Sequence, residues 1–247
     1  MDAMIYTAFT GARQTLDEQA TVTHNLSNVT TTGFKAELSA ARAVPLLGPA
    51  THGTRVATVS TTVGHDQQQG AVQTTGRALD IALNQDTWLA VQTPAGEAYT
   101  KRGDLQVSAD GQLQVAGMPV LGEGGPVVLP MGADISIGDD GTISGIAMGS
   151  DAGELVTLER LKLVSVGDAQ MLQRRPDGWF TSTTGNALPG SETGGLVSGA
   201  LEVSNVNAVD AMVAMIANQR GYEMNMKVIQ SADENSQRAN SLLRVQG

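Results

Sequence analysis

The side chains that could carry chemistry are few. His24, His52 and His65 are the three histidines, and no two sit four residues apart as helical metal ligands would. The chain has no cysteine, which removes disulfides, thiolate nucleophiles and Cys-ligated metals together. Asp139-Asp140-Gly141 could form half of a carboxylate site, but Asp-Gly between short alternating runs reads as a hairpin turn. The run LGEGGP (121–126) lacks the lysine of a phosphate loop, and no helical pattern follows it. No Gly-x-Ser-x-Gly elbow opens onto a helix. The expectation is no catalytic residue, no cofactor and no metal. One chemical alternative is a glycan-binding β module on a helical stalk, with Asp139, Asp140, Asp151 and Glu154 as its acids.

Bulk properties narrow the partners. A net charge of −10 and a pI near 4.6 give a phosphate backbone or an anionic bilayer nothing to grip, so nucleic acid is not expected as a partner. No window reaches 18 apolar residues, so no membrane insertion is expected. The start MDAMIYTAFTGARQTLDEQ lacks a basic segment followed by an unbroken apolar one, and no cleaved signal peptide is expected. Aromatics make up 3% and glycines number 29, a mixture suited to Gly-turned β structure and polar helices.

The elements that would position any function lie at the two ends. From residue 3 to about 28, Ile5, Phe9, Ala12, Leu16, Gln19, Thr23 and Leu26 alternate at spacings of four and three, a heptad seam. The stretch NLSNVTTTGFK should stop that helix. Asn28 and the threonines compete for backbone hydrogen bonds, Gly33 can take positive φ, and Phe34 follows as a packing ring. Near the other end Asn207, with Asp210 three residues on, reads as a helix N-cap. Met212, Met215, Gln219, Tyr222, Met226, Ile229, Asp233, Ser236, Asn240 and Leu243 then keep heptad spacing over 207–245.

Between the helices a period of two dominates. Strands are expected at 79–83, 87–93, 104–108, 112–116, 126–130, 142–146 and 154–166, with tight turns at 94–96, 109–111 and 139–141. The expected class is α+β: long N- and C-terminal helices forming a coiled-coil-like pair, with a central all-β domain. The expected division is 1–35 for the first helix, 36–70 for a connector, 71–200 for the β domain and 201–247 for the last helix. Val209, Val213, Ile216 and Val228 lie off the main seam, so the helix pair keeps apolar surface for other subunits.

NLSNVTTTGFK resembles the N-terminal signature of bacterial flagellar rod and hook proteins. SNVNAVDAMVAMIANQRGYEMNMKVIQSADE resembles their C-terminal motif, and TGRALDIAL with AYTKRGDLQVSADGQLQVAGMPVLG is similar to their shared β domain. The opening residues look more like the proximal-rod members than the distal-rod ones. Two positions depart from the family pattern, Ala208 where proline is usual and Gly221 where alanine is usual. The resemblance implies a non-enzymatic part of the flagellar rod in the periplasm, needed for motility. It implies passage through the flagellar export apparatus, and self-assembly together with other rod proteins. Its assembly contacts would be Ile5, Phe9, Leu16, Asn25, Leu26, Asn28, Gly33, Phe34, Asn205, Asn207, Met212, Met215, Gln219, Tyr222, Met226 and Ile229.

Overall fold

A computed structural model describes residues 2–45, 56–130, 132–146, 156–167, 171–191 and 195–245. The chain divides into a helical unit, Met1–Ser27 with Glu37–Val63 and Asn207–Gly247, and a strand-rich unit, Asn28–Ala36 with Gly64–Val206.

The helical unit is built on α1 (Asp2–Ser27) and α2 (Ala208–Val245), 26 and 38 residues long. Asn207 caps α2, its Oδ1 accepting the Val209 N–H at 3.0 Å and its carbonyl the Ala211 N–H at 3.0 Å, while Asp210 places a negative charge in the first turn. The helices run antiparallel: a Cβ on Gly11 would meet Asn225, and one on Gly221 would meet the Thr15 methyl at 3.2 Å. Gly221 is therefore a point of close packing. The first helix turns Ile5, Ala8, Ala12, Thr15, Gln19, Val22 and Leu26 inward, with Ala8 and Ala12 fully buried. On α2 the inward positions are Ala211, Ala214, Met215, Asn218, Gly221, Tyr222, Asn225, Met226, Ile229 and the buried Ala232.

This corrects the expected seam. Phe9, Leu16 and Thr23 on α1, and Met212, Gln219, Asp233 and Asn240 on α2, are exposed. Two heptad registers share Ile5, Ala12, Gln19 and Leu26, and the one that buries Ala8 and Thr15 is adopted because small side chains let the helix axes approach. The expected class is corrected with it. Strands Glu37–Pro45 and most of Val56–His65 group with the helices, and the remaining described strands fall into six separate sheets. The findings support a helix–sheet mix with one N-terminal helix, one C-terminal helix and a strand-rich region between them.

The strand-rich unit centres on a five-stranded antiparallel sheet. In spatial order it comprises Leu163–Ser165, Thr87–Thr93, Gly96–Thr100, Phe180–Ser182 and Leu172–Arg174. Strand Thr87–Thr93 is buried along nearly its whole length because both faces are covered. Leu89 and Val91 join an aliphatic cluster with Leu105, Leu113, Val120 and Ile143, whereas Trp88 and Ala90 face Tyr99, Val164 and Phe180. The expected single strand over 154–166 is broken: Val156–Arg160 and Leu163–Ser165 flank Leu161, which bridges to Gly122. Residues 154 and 155 lie outside the described ones.

Candidate assembly interface

In the strand-rich unit four other chain segments meet around the sequence Gly-Phe-Lys. Gly33 has φ +63°, and a Cβ there would lie 2.3 Å from the Lys101 carbonyl oxygen, so backbone strain and space both demand glycine. Its N–H donates to the Glu202 carbonyl at 2.8 Å. Phe34 is buried with the Arg174 guanidinium 4.4 Å above its ring, a cation–π contact. Lys35 is fully buried, and its Nζ donates to Glu202 Oε1 and to the Gln68 carbonyl, each at 2.8 Å. The Gly70 N–H donates to the same Glu202 oxygen at 2.9 Å. Asn205 completes the junction, with Oδ1 accepting the Ala36 N–H at 2.7 Å and Nδ2 donating to the Asp66 and Gln68 carbonyls, each at 3.1 Å.

Around this ion pair sit two further titratable groups out of water. His65 packs edge-on against Phe180 and Trp88, with ring centroids 4.7 and 5.9 Å away. Burial first, then the charges of Arg174 and Lys35, push its imidazole pKa down to about 4 against a smaller opposing effect of Asp66. Lys101 is buried over the Trp88 ring and donates to the Asn84 and Gln85 carbonyls at 2.5 and 2.7 Å. Burial pushes its ammonium pKa down to about 7, Glu202 pulling it up and Lys35 pushing it further down. Thr32 donates to Asp104 at 3.1 Å. Burial alone would raise the Asp104 carboxyl, but the Arg102 fork at 3.0 and 2.7 Å outweighs it and holds the group below the usual carboxylate range.

In the helical unit, Asn25 is the matching backbone clamp. Its Oδ1 accepts the Glu37 N–H at 2.8 Å and its Nδ2 donates to the Glu37 carbonyl at 2.9 Å, so one amide side chain fixes where the strand starts after α1. His24 Nδ1 lies 3.1 Å from the Glu37 carboxylate.

The sixteen residues singled out from sequence thus fall into three groups. Ile5, Leu26, Met215, Tyr222, Met226 and Ile229 are half-buried on the helix pair, and Phe9, Leu16, Met212 and Gln219 are exposed on it. Asn25 and Asn205 are backbone clamps, Asn207 is a cap, and Gly33 and Phe34 are buried. Asn28 closes the turn, accepting the Thr31 N–H at 3.1 Å and the Thr31 hydroxyl at 3.2 Å. Sequence reasoning missed Lys35, Glu202 and Arg174, and weighed His65 only as a metal ligand. Lys35 stands directly after Gly-Phe and Glu202 three residues before Asn205, a position beside two motifs that was the only available signal.

Of the carboxylates proposed for a glycan, Asp140 is held by its own turn. Asp140 Oδ1 accepts the Thr142 N–H at 3.0 Å and Oδ2 the Thr142 hydroxyl at 2.7 Å, the bonds of a hairpin turn, and these hold its carboxyl below the usual range. Asp151 and Glu154 lie outside the described residues, as does His52. No group of three or more His, Cys, Asp or Glu among the described residues could hold a metal ion, and no described helix is long and apolar enough to cross a membrane.

Two family models match the chain: the flagellar hook protein FlgE/F/G D1 domain over residues 82–145, and the flagellar basal body rod FlgEFG protein C-terminal over 197–242. The flagellar basal-body rod protein FlgF of Escherichia coli (strain K12) is 48% identical over 250 residues, covering 98% of this chain and 99% of its own. FlgF of Salmonella typhimurium is 46% identical over the same length and coverage. The rod protein FlgG of Bacillus subtilis (strain 168) is 30% identical over 93% of this chain and 95% of its own.

Proposed function

The chain belongs to the flagellar basal-body rod protein family and is a FlgF-like structural component of the rod; we propose that it polymerises through its terminal helices as part of the proximal rod. It resides in the flagellar basal body and assembles there with other rod components. The FlgG relatives, at about 30% identity, fit a distal-rod assignment less well. In this reading the chain is a structural part rather than a catalyst, delivered by the flagellar export apparatus to the periplasmic stretch of the shaft.

The observation that supports polymerisation is where the large apolar side chains of the helical unit lie. Met4, Tyr6, Phe9, Leu16, Val209, Met212, Val213, Ile216 and Met224 are all 49% or more exposed, while the fully buried side chains described on the helices are the small Ala8, Ala12 and Ala232. An isolated molecule leaves that surface in water; a polymer covers it. The test is deletion of the gene in its host, followed by electron cryotomography of the remaining basal bodies and a swimming assay. Non-motile cells with a membrane ring but a short or missing rod are expected. A proximal rod lacking only its distal part would move the assignment to the distal rod, and complete motile flagella would refute the rod assignment.

A further inference from the structure

The exposed apolar surface of the helical unit includes two patches of opposite shape. Near the start of α1, Ile5, Tyr6 and Phe9 together with Ile229 line an open apolar cleft of about 320 Å³. Near the start of α2, Val209, Met212, Val213 and Ile216 stand at spacings of three and four on the side facing away from α1, a raised row of side chains. Ile229 lies about 16 residues beyond the middle of that row, or ~25 Å along the helix at 1.5 Å per residue. Cleft and row are thus too far apart to meet within one molecule.

We propose that the row of one copy seats in the cleft of the next, with the two α2 helices parallel and staggered by ~25 Å. This deepens the proposed polymerisation and rests on it. Charge selects the orientation. Asp210 stands at the N-terminal end of the row and Arg220 one turn past its C-terminal end, both exposed. Because the helices are antiparallel, Arg13 of α1 flanks the cleft on the side toward the start of α2, and Asp233 flanks it on the other. Parallel seating brings Asp210 to Arg13 and Arg220 to Asp233, whereas antiparallel seating opposes like charges at both ends. Among the described residues Arg13, Asp210 and Arg220 make no ion pair within their own molecule. A contact between different patches of identical chains runs head to tail, and with each copy shifted ~25 Å along the helix axis it cannot close into a ring, so repeating it yields a filament rather than a dimer.

Because the chain has no cysteine, the pairing can be read by disulfides. Full-length Phe9→Cys/Met212→Cys and Tyr6→Cys/Val213→Cys are expressed in place of the wild-type gene, and isolated basal bodies are oxidised with copper phenanthroline. Each pair should give chain-to-chain dimers and higher species of this protein alone, identified by mass spectrometry. The single variants and the off-register pair Phe9→Cys/Met224→Cys should give at least ten-fold less. Independently, Arg13→Asp should reduce swimming several-fold, and adding Asp210→Arg to the same chain should restore it. Equal cross-linking in the off-register pair, or failure of the charge exchange to restore swimming while the variant is present in the rod, overturns the pairing and leaves the rod assignment standing. Absence of the wild-type chain from isolated rods overturns both.

Discussion

The helical unit and the strand-rich unit spend their apolar side chains in opposite ways. In the strand-rich unit Trp88, Leu89, Val91, Tyr99, Leu105 and Leu113 are each about 1% exposed or less, so its stability is its own. In the helical unit the only fully buried side chains described on the helices are Ala8, Ala12 and Ala232, and large ones such as Phe9, Leu16, Val209, Met212 and Ile216 face out. An alanine seam brings helix axes together but buries little area per residue. The lesson is a division of labour: one unit folds for itself, and the other is completed by its neighbours.

The most forceful way to break the contrast is to remove one partner of the ion pair on which the strand-rich unit closes. Lys35→Met leaves the Glu202 carboxylate buried and unpaired and should cost about 3–5 kcal/mol. Both tryptophans, Trp88 and Trp179, lie in this unit, so urea unfolding followed by their fluorescence reads it selectively. The double variant Lys35→Met/Glu202→Leu should recover most of the loss.

The next effect is acid dependence. Unfolded imidazole titrates near 6.5, and in the folded unit the value is about 4, so the unfolded chain binds the extra proton between those pH values. The His65 contribution is therefore full above pH 6.5, falls as the pH drops through the window, and has lost on the order of 3 kcal/mol below about pH 4, at ~1.4 kcal/mol per unit. His65→Phe should flatten that segment of the tryptophan-detected stability curve.

Within the helical unit, Ala12→Leu forces a larger side chain into the seam and should destabilise the pair by about 1–3 kcal/mol, visible as lost helical circular dichroism with unchanged tryptophan emission. Phe9→Asp and Met212→Asp, which put a charge where a neighbour must cover an apolar side chain, sharpen the comparison from the other side. Each should shift unfolding by less than about 0.5 kcal/mol and still abolish swimming.

Much of this was legible in the residues, and what was not has physical causes. Asn207 with Asp210 marked the start of α2, and Gly33 marked the end of the turn after α1, because caps and positive-φ glycines act locally. TWLAVQT read as a strand at the residues it occupies. The seam was misread because hydrophobicity favoured Phe9 and Leu16, whereas close approach favoured Ala8 and Thr15. The Lys35–Glu202 pair spans 167 residues, and no local pattern announces so distant a partner.

The central claim is that the strand-rich unit is complete in an isolated molecule and the helical unit is not. Amide hydrogen exchange on the full-length chain, first as a monomer and then in isolated rods, tests it most directly. Slow exchange is expected for strands Thr87–Thr93 and Gly96–Thr100 in both states, and exchange in α1 and α2 that is fast in the monomer and slow in the rod. Slow exchange throughout both helices of the monomer would contradict it.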